Sequence, residues 1–182
     1  MKYCSVCGHT VSQKIPKDDD RLRYVCDSCG TIHYQNPRII VGTLPVYGDQ
    51  VLLCRRAIEP RKGLWTLPAG FMENGETTLE GAVRESWEEA RATLTNENLY
   101  RLFDLSYIDQ VYMFYLADLA DENFSAGPES LDVRLFNEAD IPWDEIAFPV
   151  VTDTLREFFE DRKKGVFPVR ISSTERGRHK QK

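Results

Sequence analysis

The chain reads as an α/β protein, a sandwich built on a mixed sheet and preceded by a small separate module. Three observations predict this. Strand-like and helix-like runs follow one another in the order strands, helix, strands, helix. The later helical run carries its apolar residues as a single stripe, the pattern of a helix laid on a sheet. Composition also changes at Asn36-Pro37, where a short, polar, cysteine-bearing segment gives way to long aliphatic runs.

In the first segment, residues 1–37, Thr10 to Lys14 and Arg21 to Val25 read as short strands joined by a polar loop with Pro16 and Asp18-Asp19-Asp20. A segment this small buries too little apolar surface to fold unaided, so it needs a staple. From Arg38 onward, Ile39 to Tyr47 is a strand, Gly48-Asp49 a turn, and Val51 to Arg55 the return strand. Gly63 to Gly70 is an apolar stretch closing in a turn, and a helix follows from Thr78 to Ala92. Leu99 to Tyr107 and Val111 to Leu119 are further strands, with a turn near Asp109. After the loop Ala126-Gly127-Pro128, Leu131 to Phe136 is the last strand. Pro149 to Lys164 is the second helix, with Val150, Val151, Thr154, Leu155, Phe158 and Phe159 as its stripe and Gly165 as its stop. The expected organisation is a module over 1–37, a main domain over 38–170 and a basic, disordered tail over 171–182.

Charge and hydropathy exclude some function classes. No apolar run approaches the ~20 residues that span a bilayer, and Met1 to Val11 is too short and polar for a signal peptide. A cytoplasmic protein with no membrane partner is expected. The formal net charge is -6, and basic residues cluster only near the end, at Arg170, Arg176, Arg178, Lys180 and Lys182. Nucleic acid is therefore disfavoured as the main partner.

Cysteines in such a compartment are expected as thiols. Cys4-x-x-Cys7 and Cys26-x-x-Cys29 have the spacing of a zinc ribbon, each pair followed by a glycine (Gly8, Gly30) that permits a tight knuckle. Four thiolates complete a tetrahedral shell and leave no open position, so the metal is structural Zn²⁺, and His9 and His33 are bystanders. A redox pair or an iron site are the alternatives. Neither pair lies in a basic or aromatic-rich strand, which favours a structural or dimer-forming cap over a nucleic-acid reader. Cys54, inside an aliphatic strand, is a core residue.

The first helix carries the chemistry. Thr77 and Glu80 fit a capping box. Projected at helical spacing, Leu79, Ala82, Val83, Ser86, Trp87 and Ala90 share the face that packs on the sheet, with Glu85, Glu88 and Glu89 opposite. An ordinary solvated face is the bland alternative. Like charges three and four apart are mutually destabilising, however. Crowded beside a glycine loop they suit a hard divalent cation, which takes oxygen ligands.

The segment from Gly70 to Glu89 resembles the Nudix box, with Gly70, Glu76, Arg84, Glu85, Glu88 and Glu89 at matching positions. Ser86 stands where that pattern has an aliphatic residue, and Arg91 where it has a glycine. The resemblance implies a Nudix-type α/β/α sandwich with a mixed sheet behind the zinc ribbon. It implies Mg²⁺ (or Mn²⁺) held by Glu85, Glu88 and Glu89, with the carbonyl of Ala69 as a further ligand. Arg84 would orient the glutamates and Glu76 would brace the loop. Glu129, before the last strand, is implied as ligand or general base, against the alternative of an exposed loop acid. The reaction implied is attack of water on a diphosphate, releasing a nucleoside monophosphate.

Two subgroups pair a ribbon with such a domain. NADH pyrophosphatases carry a Ser-Gln-Pro-Trp-Pro-Phe-Pro stretch after the box, and here the region reads Ser106-Tyr-Ile-Asp-Gln-Val-Tyr-Met-Phe114. Leu64 to Gly70, Arg84 to Ala90 and Gly127 to Leu131 are instead similar to the group of the plant plastid FAD and ADP-ribose pyrophosphatase. That resemblance implies a nucleoside diphosphate-linked small molecule as partner, FAD or ADP-ribose. An NADH or other dinucleotide pyrophosphatase and a non-catalytic nucleotide sensor are the alternatives. An adenine needs an aromatic platform. Phe71, Tyr112 and Phe114, beside Gly70, are the substrate-binding candidates, with core packing as the alternative for the strand aromatics.

Overall fold

Two short polar strands at the N-terminus find one another through a cysteine knuckle rather than a hydrophobic core. The computed structural model describes residues 1–173 and divides into two units, Met1–Asn36 and the chain from Pro37. In the first, β1 (Val11–Lys14), β2 (Arg23–Cys26) and β3 (Ile32–His33) form an antiparallel three-stranded sheet in that order. β3 is two residues long, too short for any periodicity to betray it. Cys4 and Cys26 are the buried apolar side chains of this unit. Gly8 and Gly30 take positive φ, 75° and 73°, and donate their amides to the carbonyls of Cys4 and Cys26. Glycine is the residue that adopts this turn without strain.

The second unit holds an eight-stranded mixed sheet and two helices. Its strands are β4 (Arg38–Tyr47), β5 (Gln50–Arg56), β6 (Trp65–Thr66), β7 (Ala69–Phe71), β8 (Leu94–Leu105), β9 (Gln110–Leu119), β10 (Ser130–Phe136) and β11 (Arg170–Ser173). The helices are α1 (Thr78–Ala90) and α2 (Pro149–Lys164). The strand order is β10-β5-β4-β9-β8-β11, with β6 paired to β5 and β7 to β4; β4 runs parallel to β9, and β8 to β11.

Strand alternation places the helices on opposite faces. On β5, Val51 and Leu53 join Leu44, Val150, Leu155 and Phe158 in the core under α2. Leu52 and Cys54, of the other parity, pack with Ala90 at the end of α1. Val41 and Tyr115 meet Ala82 of α1 on that same face. This is the expected α/β/α sandwich with a mixed sheet. Among the described residues no helix is long and apolar enough to cross a membrane.

Three expectations need correction. First, α1 ends at Ala90, and its sheet-facing row is Gly81, Ala82, Ser86, Glu89 and Ala90. Trp87 is 51% exposed and Leu79 36%. The face is turned by nearly one residue step from the apolar projection, because small residues let α1 approach β4 and β7 closely. Second, the strand expected at Leu99 begins at Leu94 and ends at Leu105, and bulges at Thr95/Asn98 and Leu99/Arg101 mask its alternation. Third, the expected tail begins too early: Ile171–Ser173 continue strand β11 from Arg170, paired with Leu102–Asp104 of β8. Arg170 pairs with Asp161 of α2, which also accepts a 2.7 Å hydrogen bond from the Tyr100 hydroxyl. Its charge is neutralised inside the fold rather than solvated. The expected tail beyond Ser173 lies outside the described residues.

Candidate active site

The loop entering α1 is fixed from both ends. Thr77 accepts from the Glu80 amide, and the Glu80 carboxylate accepts from the Thr77 amide at 2.7 Å, closing the capping box. Glu76 accepts from the Glu73 amide at 2.7 Å and from Arg84 Nη2 at 2.8 Å. Its hydrogen bonds to the Arg84 guanidinium, then that amide, hold its carboxyl down at about 2. A Cβ at Gly81 would stand 2.6 Å from the Glu76 carboxylate and 2.8 Å from Val41, so glycine admits both.

Arg84 is the organising cation. Nη1 reaches Glu85 at 2.7 Å and Glu88 at 3.0 Å, and Nη2 also donates to the Phe71 carbonyl at 3.1 Å. One guanidinium thus serves three carboxylates and the loop backbone. Glu85 lies against Gly70, where any Cβ would overlap its carboxylate. Burial pushes the Glu85 carboxyl above the usual range in spite of Arg84.

Glu89 is the outlier of the helix. It is 5% exposed, and burial pushes it up to about 8, opposed by a 3.2 Å hydrogen bond from the Ala69 amide and abetted by Glu85 and Glu129. Carboxylates are almost never this buried without a partner. The charge of Arg56 offsets this in part without pairing with Glu89 directly. Oxygen donors held desolvated beside like charges suit a hard divalent cation. The residues present therefore fit such an ion.

Glu129 is brought to the cluster by its loop. The Ser125 and Gly127 amides cap the Ala90 and Glu89 carbonyls at 2.9 Å each. Gly127 passes so close to the Glu88 carbonyl that a Cβ there would collide with backbone. The Glu129 carbonyl then accepts from the Ala57 amide at 2.8 Å. Its side chain is close enough to raise both Glu85 and Glu89.

The substrate candidates separate. Phe71 is 49% exposed, with the Arg38 guanidinium 5.1 Å from its ring centre. Tyr112 is half-buried and faces the same side of the sheet as Phe114. Phe114 is a correction: it is 1% exposed, edge-on to Phe103 in the core under α2, with no ring face open. Its parity on β9 turns it away from α1. Gly70 acts through its lack of a side chain. Arg56, buried at the end of β5, has no signal in the sequence; one arginine of the pair Arg55-Arg56 carries no distinguishing spacing.

In the first unit, ligand atoms of Cys4, Cys7, Cys26 and Cys29 all lie within 4.8 Å of one another. The Thr31 hydroxyl, 3.0 Å from its sulfur, lowers the Cys29 thiol, while hydrogen bonds among the four sulfurs hold the Cys7 thiol up. Amides of the knuckles point at two of the sulfurs, Val6 at Cys4 and Cys29 at Cys26, both at 3.4 Å. This donor set fits structural Zn²⁺.

Fold, acidic helix and thiolate cluster together define a hydrolase fold with an attached ribbon, and comparison with known proteins gives the family. Residues 36–158 match the NUDIX domain model and residues 2–35 the zinc-ribbon model described as Nudix N-terminal, so the chain belongs to the Nudix hydrolase family. It is similar to a solved Nudix hydrolase from Nitrosomonas europaea, at 50% identity and a TM-score of 0.93, covering 96% of this chain and 99% of that one. Among curated proteins it is 30% identical over 166 residues to the NAD-capped RNA hydrolase NudC of Edwardsiella ictaluri, covering 88% of this chain and 59% of that protein. The counterpart from Photobacterium profundum is 29% identical, with 76% and 50% covered. The chain thus spans little more than half the length of these curated relatives. An ADP-ribose pyrophosphatase from Streptococcus suis shares the fold, at a TM-score of 0.62 and 18% identity, covering 76% of this chain and 100% of that one.

Proposed function

We propose that this chain is a Mg²⁺- (or Mn²⁺-) dependent pyrophosphohydrolase that splits the diphosphate of an ADP-linked substrate, FAD or ADP-ribose, into AMP and a second phosphorylated product. The observation that carries the reading is Glu89. A carboxylate 5% exposed, beside Glu85 and Glu129, is costly to charge until a cation arrives.

Glu85, Glu88, Glu89 and the Ala69 carbonyl would hold the ion, which supplies polarisation of a phosphoryl oxygen and a more acidic water. Arg84 keeps Glu85 and Glu88 aimed by its two Nη1 contacts. Glu76 keeps Arg84 in place. Glu129 enters from the loop that hydrogen-bonds the end of α1, and either joins the ligands or takes the proton of the attacking water. Phe71, half exposed beside Gly70, is the platform offered to the nucleoside, while Tyr112 faces the α2 side of the sheet with Phe114; Gly70 leaves room for the Glu85 carboxylate. Most of the rate enhancement is charge neutralisation and positioning. The ribbon serves as a structural or dimer-forming cap carrying Zn²⁺.

Support for FAD or ADP-ribose comes from the motifs shared with the plant plastid group. The curated relatives, named for NAD-capped RNA, favour a second reading, a pyrophosphatase of NADH or another dinucleotide. A panel of FAD, ADP-ribose, NADH, diadenosine polyphosphates, CoA and NAD-capped RNA, with Mg²⁺ and Mn²⁺, separates them by released product. AMP from FAD or ADP-ribose at the highest kcat/KM is the expected result. Preference for NADH or the capped RNA would install the second reading, and binding without hydrolysis would make the domain a nucleotide sensor.

A further inference from the structure

The two edges of the main sheet end differently. β10 is blunted: its register shifts between Ser130 and Asp132, and Asp132 and Arg134 form an ion pair on it at 2.6 Å. Bulges and charges of this kind stop a further strand from adding. β11 has neither device. Its register on β8 is unbroken, and its one charged side chain, Arg170, is turned to Asp161 of α2. Among the described residues no strand pairs with its outer edge.

The chain running into β11 is also apolar and bare. Val166 is 60% exposed, Phe167 41%, Val169 55% and Ile171 71%, although Phe167 keeps one anchor by stacking on Phe158. Monomeric proteins seldom leave such a run uncovered. Ile171 moreover ends an apolar row that crosses the sheet. Val41 of β4, Met113 of β9, Leu102 of β8 and Ile171 are successive neighbours in register. Val41 is fully buried at one end of the row, and Ile171 stands open at the other.

Register selects the occupant. A two-fold axis perpendicular to the sheet lays β11 antiparallel to β11 of a second copy and keeps each face on its own side. Opposed residues then share a face, so the axis must pass through a residue. Through Arg170 it would set two guanidinium groups opposite one another, which is destabilising. Through Ser172 it would set Ile171 against Ser173 and break the apolar row. Through Ile171 it sets Ile171 against Ile171, Arg170 against Ser172 and Val169 against Ser173. The row then continues into the second copy, and no like charges meet. We propose that the free edge of β11 is a homodimer contact, at which two copies pair antiparallel about Ile171 and join their sheets. Main-chain hydrogen bonds supply the pairing, and Val169 and Ile171 supply the apolar burial. A foreign peptide finds no unpaired charge on this strand to read, whereas the strand is its own complement.

Sedimentation equilibrium of the full chain in reductant tests this. The wild type is expected as a dimer. Ile171→Lys sets two ammonium groups opposite one another and is expected to weaken the dimer at least about a hundredfold. An unchanged far-UV circular dichroism spectrum would show that this variant is folded. Cross-linking fixes the register independently. Under mild oxidation Ile171→Cys should form an intermolecular disulfide above the wild-type background, because opposed Cβ atoms lie about 5 Å apart. Ser173→Cys should not, since its two copies stand about 13 Å apart along the strands. A wild-type chain that stays monomeric at its solubility limit would overturn the proposal. A dimer left intact by Ile171→Lys would also overturn it and move the contact to another surface. Equal cross-linking at 171 and 173 would contradict the register. Should Ile171→Lys not fold, the difference between the two cysteine variants decides.

Discussion

Ser86 of α1 and Thr43 of β4 share a 2.6 Å hydrogen bond between hydroxyls that have no solvent exposure. Ser86 also donates to the Ala82 carbonyl at 3.0 Å. The pair fastens the acidic helix to the sheet at a position where the family pattern has an aliphatic side chain. Removing either hydroxyl alone leaves its partner buried and short of a bond, so Ser86→Ala and Thr43→Val should each destabilise by about 1–3 kcal/mol. The double variant should cost less than their sum. Urea unfolding of the four proteins measures the coupling, and strict additivity would count against the pairing.

The second departure from the family pattern has a backbone consequence. Arg91 caps α1 in the left-handed region, φ 52°, with its amide bonding the Ser86 and Trp87 carbonyls. A side chain there costs about 1 kcal/mol, partly compensated by the guanidinium over the Trp87 ring at 5.7 Å. Arg91→Gly is expected to leave activity unchanged and to stabilise the protein by up to about 1 kcal/mol. A clear loss of stability would show that the Trp87 contact outweighs the strain.

Helix α1 shows where sequence reading succeeds and where it stops. Its start is legible because Thr77 and Glu80 form a local capping signal. α2 is legible in full, Pro149 to Lys164, because its stripe of Val150, Val151, Leu155, Phe158 and Phe159 matches the buried set. The rotation of α1 is not legible, since Trp87 and Leu79 look like core while Glu89 does not, and tertiary approach through Gly81, Ala82 and Gly127 decides otherwise. β11 is hidden because Arg170 reads as tail charge until Asp161, in another element, is seen beside it.

Proton linkage at Glu89 gives a pH test. Its folded carboxyl titrates at about 8 against 4.5 for an ordinary glutamate, so the folded state holds the proton more tightly. The stabilisation is present below pH 4.5 and fades as pH rises through about 8, a few kcal/mol in all. Metal-free protein should therefore lose Tm between about pH 5 and about pH 8. Mg²⁺ should raise Tm more at about pH 8.5 than at about pH 6, because below about 8 it competes with that proton. Glu85, also raised by burial, acts in the same sense. A Mg²⁺ shift independent of pH would contradict the arrangement.

The ribbon depends on its metal, since Cys4 and Cys26 are the buried apolar side chains of residues 1–36. Elemental analysis should find one zinc per chain. Cys26→Ser should lose it, and limited proteolysis should then cut within residues 1–36 while the Nudix domain stays resistant. A zinc-free variant as resistant there as the native protein would show that the strands hold without the staple.

The most direct measurement is steady-state hydrolysis of the best dinucleotide substrate by Glu89→Gln over a Mg²⁺ titration. The substitution keeps the shape and removes the charge. In that variant kcat should fall at least about a hundredfold at saturating Mg²⁺, with KM changed little. Wild-type kcat at ordinary Mg²⁺ in that variant would contradict it.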